Sequence, residues 1–174
     1  MSKRIKSNNF GYIHFFNNLQ NQTQTQTQND NNDDNLTELQ EINFGIRNED
    51  KSIHIYTQMT GIPVLPLKQF VKKILIRSND YNWYIGGKID GILEDRTVIE
   101  VKNRVHKLFN KVRDYEKVQT YCYMYILDSN KSHLVETHMN GKVPEVDILD
   151  VEYNQDYWEF ILNRILVFID FFNK

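Results

Sequence analysis

A single cysteine, Cys122, in 174 residues excludes an internal disulfide and any four-cysteine zinc or iron–sulfur site built within one chain. A reducing, intracellular compartment is the expected setting. No run approaches the roughly 18 to 20 unbroken apolar residues of a membrane helix, and the N-terminus lacks the apolar core of a secretory signal. A soluble, non-secreted protein with no membrane partner is therefore expected. Positive charge is also in short supply. A formal net charge of -2 argues against a protein that coats nucleic acid with a broad basic surface, though a local basic strip stays compatible with it. Acids are absent from residues 1–28, where Lys3, Arg4 and Lys6 give a faint likeness to a transit peptide. That segment is poor in arginine and rich in asparagine, unlike such peptides.

With 40% of residues hydrophobic and 25% charged, the chain can enclose one ordinary core. The run NQTQTQTQNDNNDD has no apolar residue to bury, so nothing offsets the entropy of ordering it. Residues 21–35 are expected to be a disordered linker between an N-terminal extension, 1–20, and a folded domain, 36–174. In the extension, Phe10, Tyr12, Phe15 and Phe16 suit a short helix or strand against the main body.

Thr37 and Gln40 have capping-box spacing and open a helical stretch with an apolar stripe of Ile42, Ile46, Ile53 and Tyr56. Glu49 completes the period between Ile46 and Ile53, so the helix carries a carboxylate along its buried face. Gly61 and Pro63 stop it. Segments 70–77 and 82–93 read as strands separated by the turn SNDYN, and a third strand, 97–102, follows. Residues 105–127 return to helical spacing, with Leu108, Val112, Tyr115, Cys122 and Ile126 on one stripe and Gln119 among them. Strands 132–138 and 146–152 lead to an amphipathic helix, 155–172, anchored by Trp158, Phe160, Ile161, Ile165, Phe168 and Phe172. This order predicts a mixed α/β domain, with helices packed on a central sheet.

The segment GGKIDGILEDRTVIEVK suggests a hairpin whose loop, Glu94 to Arg96, is centred on Asp95. If Leu93 pairs with Thr97, Asp90 falls directly opposite Glu100, with Cβ atoms about 5 Å apart. Two like charges facing each other cost stability unless a cation lies between them, and a divalent ion with oxygen ligands resolves the conflict. Lys102, two residues on, shares the face of Glu100, while Val101 points into the core. Phosphodiester hydrolysis needs such a set: hard oxygen ligands for Mg²⁺ and a cation near the attacking water. A Glu-x-Lys string alone is common and is usually a solvated surface. The glycines at 86, 87 and 91, and the polar Glu49 and Gln119 on the flanking helices, shift the balance towards a site.

These residues resemble the PD-(D/E)XK nucleases, and most closely the branch of lambda exonuclease and the YqaJ-type viral recombinases. FGIRNEDKSIHIYTQMTG supplies Gly45, Glu49, Tyr56, Thr60 and Gly61 of that branch's helical pattern; Asp90-Gly91, the IEVK strand, and Gln119 with Tyr123 follow. The similarity spans roughly residues 40–172 and implies a restriction-endonuclease-like core, a central mixed sheet flanked by helices. It also implies Mg²⁺- or Mn²⁺-dependent hydrolysis of DNA from an end, in recombination, repair or processing. On this resemblance Asp90, Glu100 and the Val101 carbonyl bind metal and Glu49 is a further or water-mediated ligand. Lys102 positions or activates water, and Gln119 orients the lysine or touches DNA. Asp50, Lys88 and Asn103 depart from the branch pattern.

Lys102 to Lys117 holds six basic residues and two acids. Arg104, Lys107 and Lys111 have spacing suited to one helical strip beside the site, where phosphates could dock, and Tyr123 is a further candidate DNA contact. An ordinary solvated face is the competing reading of that strip. Two other functions use the same residues: a structure-selective or restriction-like endonuclease, and a non-catalytic nucleic-acid-binding module. The intact set of facing acids counts against the module. A homo-oligomer or a recombination partner protein is compatible with the sequence.

Overall fold

The computed structural model describes residues 10–13, 48–67, 69–77, 82–140 and 143–172. The proposed linker, the Thr37–Gln40 capping box, and Gly45, Ile42 and Ile46 lie outside the described residues. None of the described helices is long and apolar enough to cross a membrane.

The first helix, α1, covers the described residues 48–60. It ends where expected, at Gly61, which takes a left-handed φ of 71° that a side chain would strain. Its amide still closes the last turn on the Thr57 carbonyl at 2.9 Å. The most buried line of α1 is Asn48, Ser52 and Tyr56, with Glu49 and Ile53 half-buried on its flank. The stripe inferred from the sequence is thus offset by one residue.

The strands are β1 (Phe10–Ile13), β2 (Leu65–Pro66), β3 (Phe70–Arg77), β4 (Asn82–Lys88), β5 (Gly91–Ile92), β6 (Val98–Arg104), β7 (Lys131–Asn140) and β8 (Val143–Glu152). They form a sheet in the order β2-β5-β6-β7-β8 and a second in the order β1-β4-β3. β6 and β7 run parallel, as do β1 and β4; the remaining pairs are antiparallel. The single strand expected over 82–93 is broken at Ile89 and Asp90. Between the Pro66–Gly91 and Phe70–Lys88 pairs, three residues on one side oppose two on the other. This one-residue slip is a bulge, and it reverses the alternation of side chains at that point. Ile89 packs in the same cluster as Trp83 and Ile85, and the next residue, Asp90, is carried onto the line of Glu100.

Helix α2 (Asp114–Leu127) begins nine residues later than the periodicity of 105–127 implies. Residues 105–113 cannot close a helical ladder because their amides are taken elsewhere. Phe109 and Asn110 both donate to the buried Glu136 carboxylate at 2.9 Å, and Asn110 adopts a left-handed φ of 53°. Glu116 then marks the helix start by accepting from the Arg113 amide at 3.1 Å. Leu108 and Val112 are therefore not helical, and Tyr115 lies exposed.

Helix α3 (Gln155–Phe172) matches its expected span. Trp158, Ile161, Ile165 and Ile169 are its buried line, whereas Phe160 and Phe168, expected as anchors, are about half exposed. α2 and α3 cover one face of the sheets over a core of Trp83, Ile85, Ile89, Val98, Tyr121, Met124 and their neighbours. Tyr56 and Ile53 of α1 pack on the opposite face against Leu93, Ile99, Val101 and Val135. The Tyr56 hydroxyl lies 2.7 Å from His133 Nδ1, which fixes the far end of α1 to β7.

Candidate active site

The β5–β6 hairpin has the register inferred from the sequence. The Leu93 amide donates to the Thr97 carbonyl at 2.9 Å, and Gly91 and Ile92 pair with Ile99 and Val98. One step further along that register, Asp90 faces Glu100. The turn is held by Asp95, whose Oδ1 accepts from the Thr97 amide at 2.9 Å, and by Arg96 with a left-handed φ of 72°.

Asp90 Oδ2 accepts from the Val101 amide at 2.8 Å. Burial, reinforced by the neighbouring Glu100 and Glu49 charges, pushes its carboxyl up to about 8. Glu100 is almost wholly buried, and burial raises its pKa as well, opposed by Lys102. Its Oε1 accepts from the Lys102 ammonium at 2.8 Å, while its Oε2 is buried with no hydrogen-bond partner among the described residues. An orphaned carboxylate oxygen beside a second carboxylate is a costly arrangement for an empty protein interior and a suitable one for a hard cation.

Burial on its own lowers the pKa of Lys102. The Glu100 charge and hydrogen bond, with Asp90 and Glu116 nearby, more than offset this and hold it above the ordinary lysine value. Lys102 is consequently an ammonium. It also donates to Gln119 Oε1 at 2.9 Å. Gln119 Nε2 in turn donates to the Tyr123 hydroxyl at 3.0 Å, and that hydroxyl donates to the Lys88 carbonyl at 3.0 Å. A backbone carbonyl can only accept, so this chain has one direction and turns the Gln119 carbonyl towards the lysine. Tyr123 fits because residue 87 is glycine: a Cβ there would lie 2.6 Å from the ring.

Glu49 approaches from α1, with Lys88 Nζ 3.4 Å from its Oε2. Helices on opposite faces of the sheet thus bring Glu49 and Gln119 to the ends of the Asp90, Glu100 and Lys102 set. The acids do not close on one point: among the described residues, no three acidic, histidine or cysteine side chains are gathered tightly enough to hold a metal. The oxygen-only donors and the orphaned Glu100 Oε2 nevertheless fit Mg²⁺ or Mn²⁺ better than a softer metal.

The expected basic strip is not a helical face. Arg104 is only 10% exposed and is an internal ion-pair residue. Its guanidinium donates to Glu116 at 2.7 Å and to Glu136 at 2.8 Å, and both carboxylates are fully buried. That corrects its reading as a phosphate contact. Lys107 and Lys111 lie exposed on the 105–113 loop. Tyr123, also expected to touch DNA, is 8% exposed, with its hydroxyl engaged on both sides inside the protein.

Sequence reasoning missed the Glu116–Arg104–Glu136 cluster, although Glu136 interrupts the alternating buried strand HLVETHM on its core-facing side. It also left Asn103 unexplained. Asn103 Oδ1 accepts from Ser52 and Thr137 at 2.7 Å each, so it joins α1 to β6 and β7 through satisfied polar groups.

No family model and no curated protein sequence matches the chain. Solved structures do. An alkaline exonuclease from Laribacter hongkongensis superposes with a TM-score of 0.58 at 15% identity, covering 74% of this chain and 66% of that one. A phage-related exonuclease from Haemophilus somnus 129PT gives 0.56 at 12% identity, with 72% and 67% covered. SSO0001 gives 0.51 at 15% identity, with 71% and 59% covered. The chain therefore spans somewhat under two thirds of SSO0001 and of the Laribacter exonuclease. Its α/β core is the restriction-endonuclease-like fold of these exonucleases.

Proposed function

We propose that the protein is a Mg²⁺- or Mn²⁺-dependent DNA exonuclease of the PD-(D/E)XK type, in the lambda exonuclease and YqaJ branch, acting in DNA recombination, repair or processing. The observation that carries this reading is the facing of Asp90 and Glu100, with Glu100 Oε2 orphaned in a buried position beside a fully charged Lys102. The shared fold with exonucleases supports the same reading.

Asp90 and Glu100 are the proposed cation ligands, with the Val101 carbonyl beside them and Glu49 contributing directly or through water. A divalent ion bound there supplies Lewis acidity towards a phosphate and a water. Lys102 has three ammonium donors, of which two are fixed on Glu100 and Gln119. The third donor is assigned to the attacking water or a non-bridging phosphate oxygen. Because Lys102 stays charged, it orients and stabilises negative charge and does not remove a proton. Gln119 acts through the lysine as a positioning residue. Lys107 and Lys111 remain the phosphate contacts of the original basic tract.

The test is incubation of purified protein with linear and with covalently closed circular duplex DNA, with Mg²⁺, Mn²⁺ or a chelator. Loss of the linear substrate only, abolished by chelator, is the expected result. Cutting of the circle would make the protein an endonuclease, and no cleavage of either substrate would remove the enzymatic reading.

A further inference from the structure

The outer face of the β3–β4 hairpin carries a pattern that the catalytic set does not use. Strand alternation puts Val71, Trp83, Ile85 and Gly87 towards the core and leaves Phe70, Lys72, Tyr84, Gly86 and Lys88 on the other side. Phe70 is directly across from Lys88, and Lys72 from Gly86. The Phe70 ring lies over Gly86, where an added Cβ would meet it at 2.7 Å, yet the residue remains 45% exposed. An aromatic ring backed by bare main chain and open on its other side is a stacking platform. Lys72 Nζ sits 4.8 Å from the centre of the Tyr84 ring, which holds a second cation on this face.

Lys88 ties the face to the active site. Its side chain is 48% exposed, it reaches Glu49, and it stands two residues before Asp90. Cations alternating with aromatic rings are what a single nucleotide strand requires, phosphates meeting the ammonium groups and a base meeting the ring. Successive positions on the face are about 7 Å apart along the strand, a repeat that an extended nucleotide backbone can follow. The charge balance also favours this partner. Three acids converge on the site from a chain that is acidic overall, so a polyanion needs local cations to approach it.

From this placement we infer that the outer face of the β3–β4 hairpin is the track for single-stranded DNA, with a base stacked on Phe70, phosphates on Lys72 and Lys88, and the strand leading past Glu49 to Asp90. The inference deepens the nuclease reading and rests on it. It also gives DNA a route that does not use Arg104, which the fold has sequestered.

The test is fluorescence anisotropy of a labelled single-stranded oligodeoxynucleotide with Ca²⁺ in place of Mg²⁺, using the full chain and its Phe70→Leu, Phe70→Trp, Lys72→Ala and Gly86→Ala variants. Phe70→Leu keeps an apolar side chain over Gly86 and removes the ring; affinity is expected to fall about tenfold. Phe70→Trp is expected to retain wild-type affinity, which a purely structural role of the ring would not predict. Gly86→Ala displaces the ring and should match Phe70→Leu. Lys72→Ala should reduce the slope of log affinity against log salt concentration by about one. Phe70→Leu and Lys72→Ala that bind within twofold of a wild type that binds and cleaves DNA would overturn the track and leave the nuclease standing. A wild-type chain that cleaves duplex DNA without binding single strands would overturn the track as well. A wild type that neither binds nor cleaves would remove both.

Discussion

Gln119 presents its carbonyl oxygen 2.9 Å from the Lys102 ammonium, and the Lys88 backbone carbonyl, acting through Tyr123, decides which way that amide points. Gln119→Leu removes the acceptor and leaves one donor of a buried cation unmade. Its kcat on linear duplex DNA is expected to fall about 100-fold with KM little changed, as for a misplaced catalytic group. Tyr123→Phe leaves the amide in place without its anchor, and a loss of roughly tenfold is expected from the same cause. Single-turnover kinetics read both; full activity in either variant would show that the lysine does not depend on this chain of hydrogen bonds.

Gly87 leaves the space into which Tyr123 fits. Gly87→Ala sets a methyl group 2.6 Å from the ring, so the ring or the strand has to shift. The expected cost is about 1–3 kcal/mol of stability, typical of overpacking. Activity should also fall as Tyr123 leaves the Lys88 carbonyl. Thermal unfolding with a parallel cleavage assay checks it, and an unchanged melting temperature would mean that the strand absorbs the methyl without loss.

Asp90 couples the cation to protons. Its folded-state carboxyl sits near 8, against an ordinary 3.8, because burial and then Glu100 and Glu49 disfavour its charge. Between those values the folded chain holds a proton that the unfolded chain has released, so metal-free stability should fall as pH rises from about 4 to about 8. Mn²⁺ favours the ionised carboxyl and should raise the melting temperature most at the upper end of that window. Differential scanning fluorimetry at pH 5 and pH 8, with and without Mn²⁺, tests this; a cation effect that is equal or larger at pH 5 would contradict it.

Arg104 separates the structural reading of the basic tract from the DNA-binding one. Arg104→Ala strands the fully buried Glu116 and Glu136, and the expected loss is roughly 3–5 kcal/mol. Lys107→Ala and Lys111→Ala, on the exposed loop, should leave stability within about 0.5 kcal/mol and weaken DNA binding in a salt-dependent way. Urea denaturation and a binding titration distinguish them. An Arg104→Ala chain of normal stability and reduced DNA affinity would restore the arginine to the DNA.

The elements that were legible in the sequence are those whose local pattern and tertiary role agree. The β5–β6 hairpin was readable because a tight turn fixes register and register fixes which side chains meet, hence Asp90 opposite Glu100. α3 was readable because its buried line is apolar at helical spacing, though Phe160 and Phe168 show that periodicity names a stripe wider than the part that packs. The start of α2 was not readable. Its loop is held by amides that bond to Glu136, a residue 26 positions away from Asn110, and no local signal reports such a bond. The bulge at Ile89 and Asp90 is equally non-local, since the slip exists only relative to the partner strand. Arg104 shows the same limit in electrostatics: its composition suggested a surface cation, but two buried carboxylates claim it.

The central claim is that Asp90 and Glu100 form one cation site that hydrolyses DNA with Lys102. The most direct measurement is Mn²⁺-dependent release of nucleotides from linear duplex DNA by the wild type, Asp90→Asn and Lys102→Met, each first shown to be folded by circular dichroism. The expected result is chelator-sensitive release by the wild type and at least a 100-fold loss in both variants. Release by folded Asp90→Asn at the wild-type rate, or release by the wild type that a chelator leaves untouched, would contradict it.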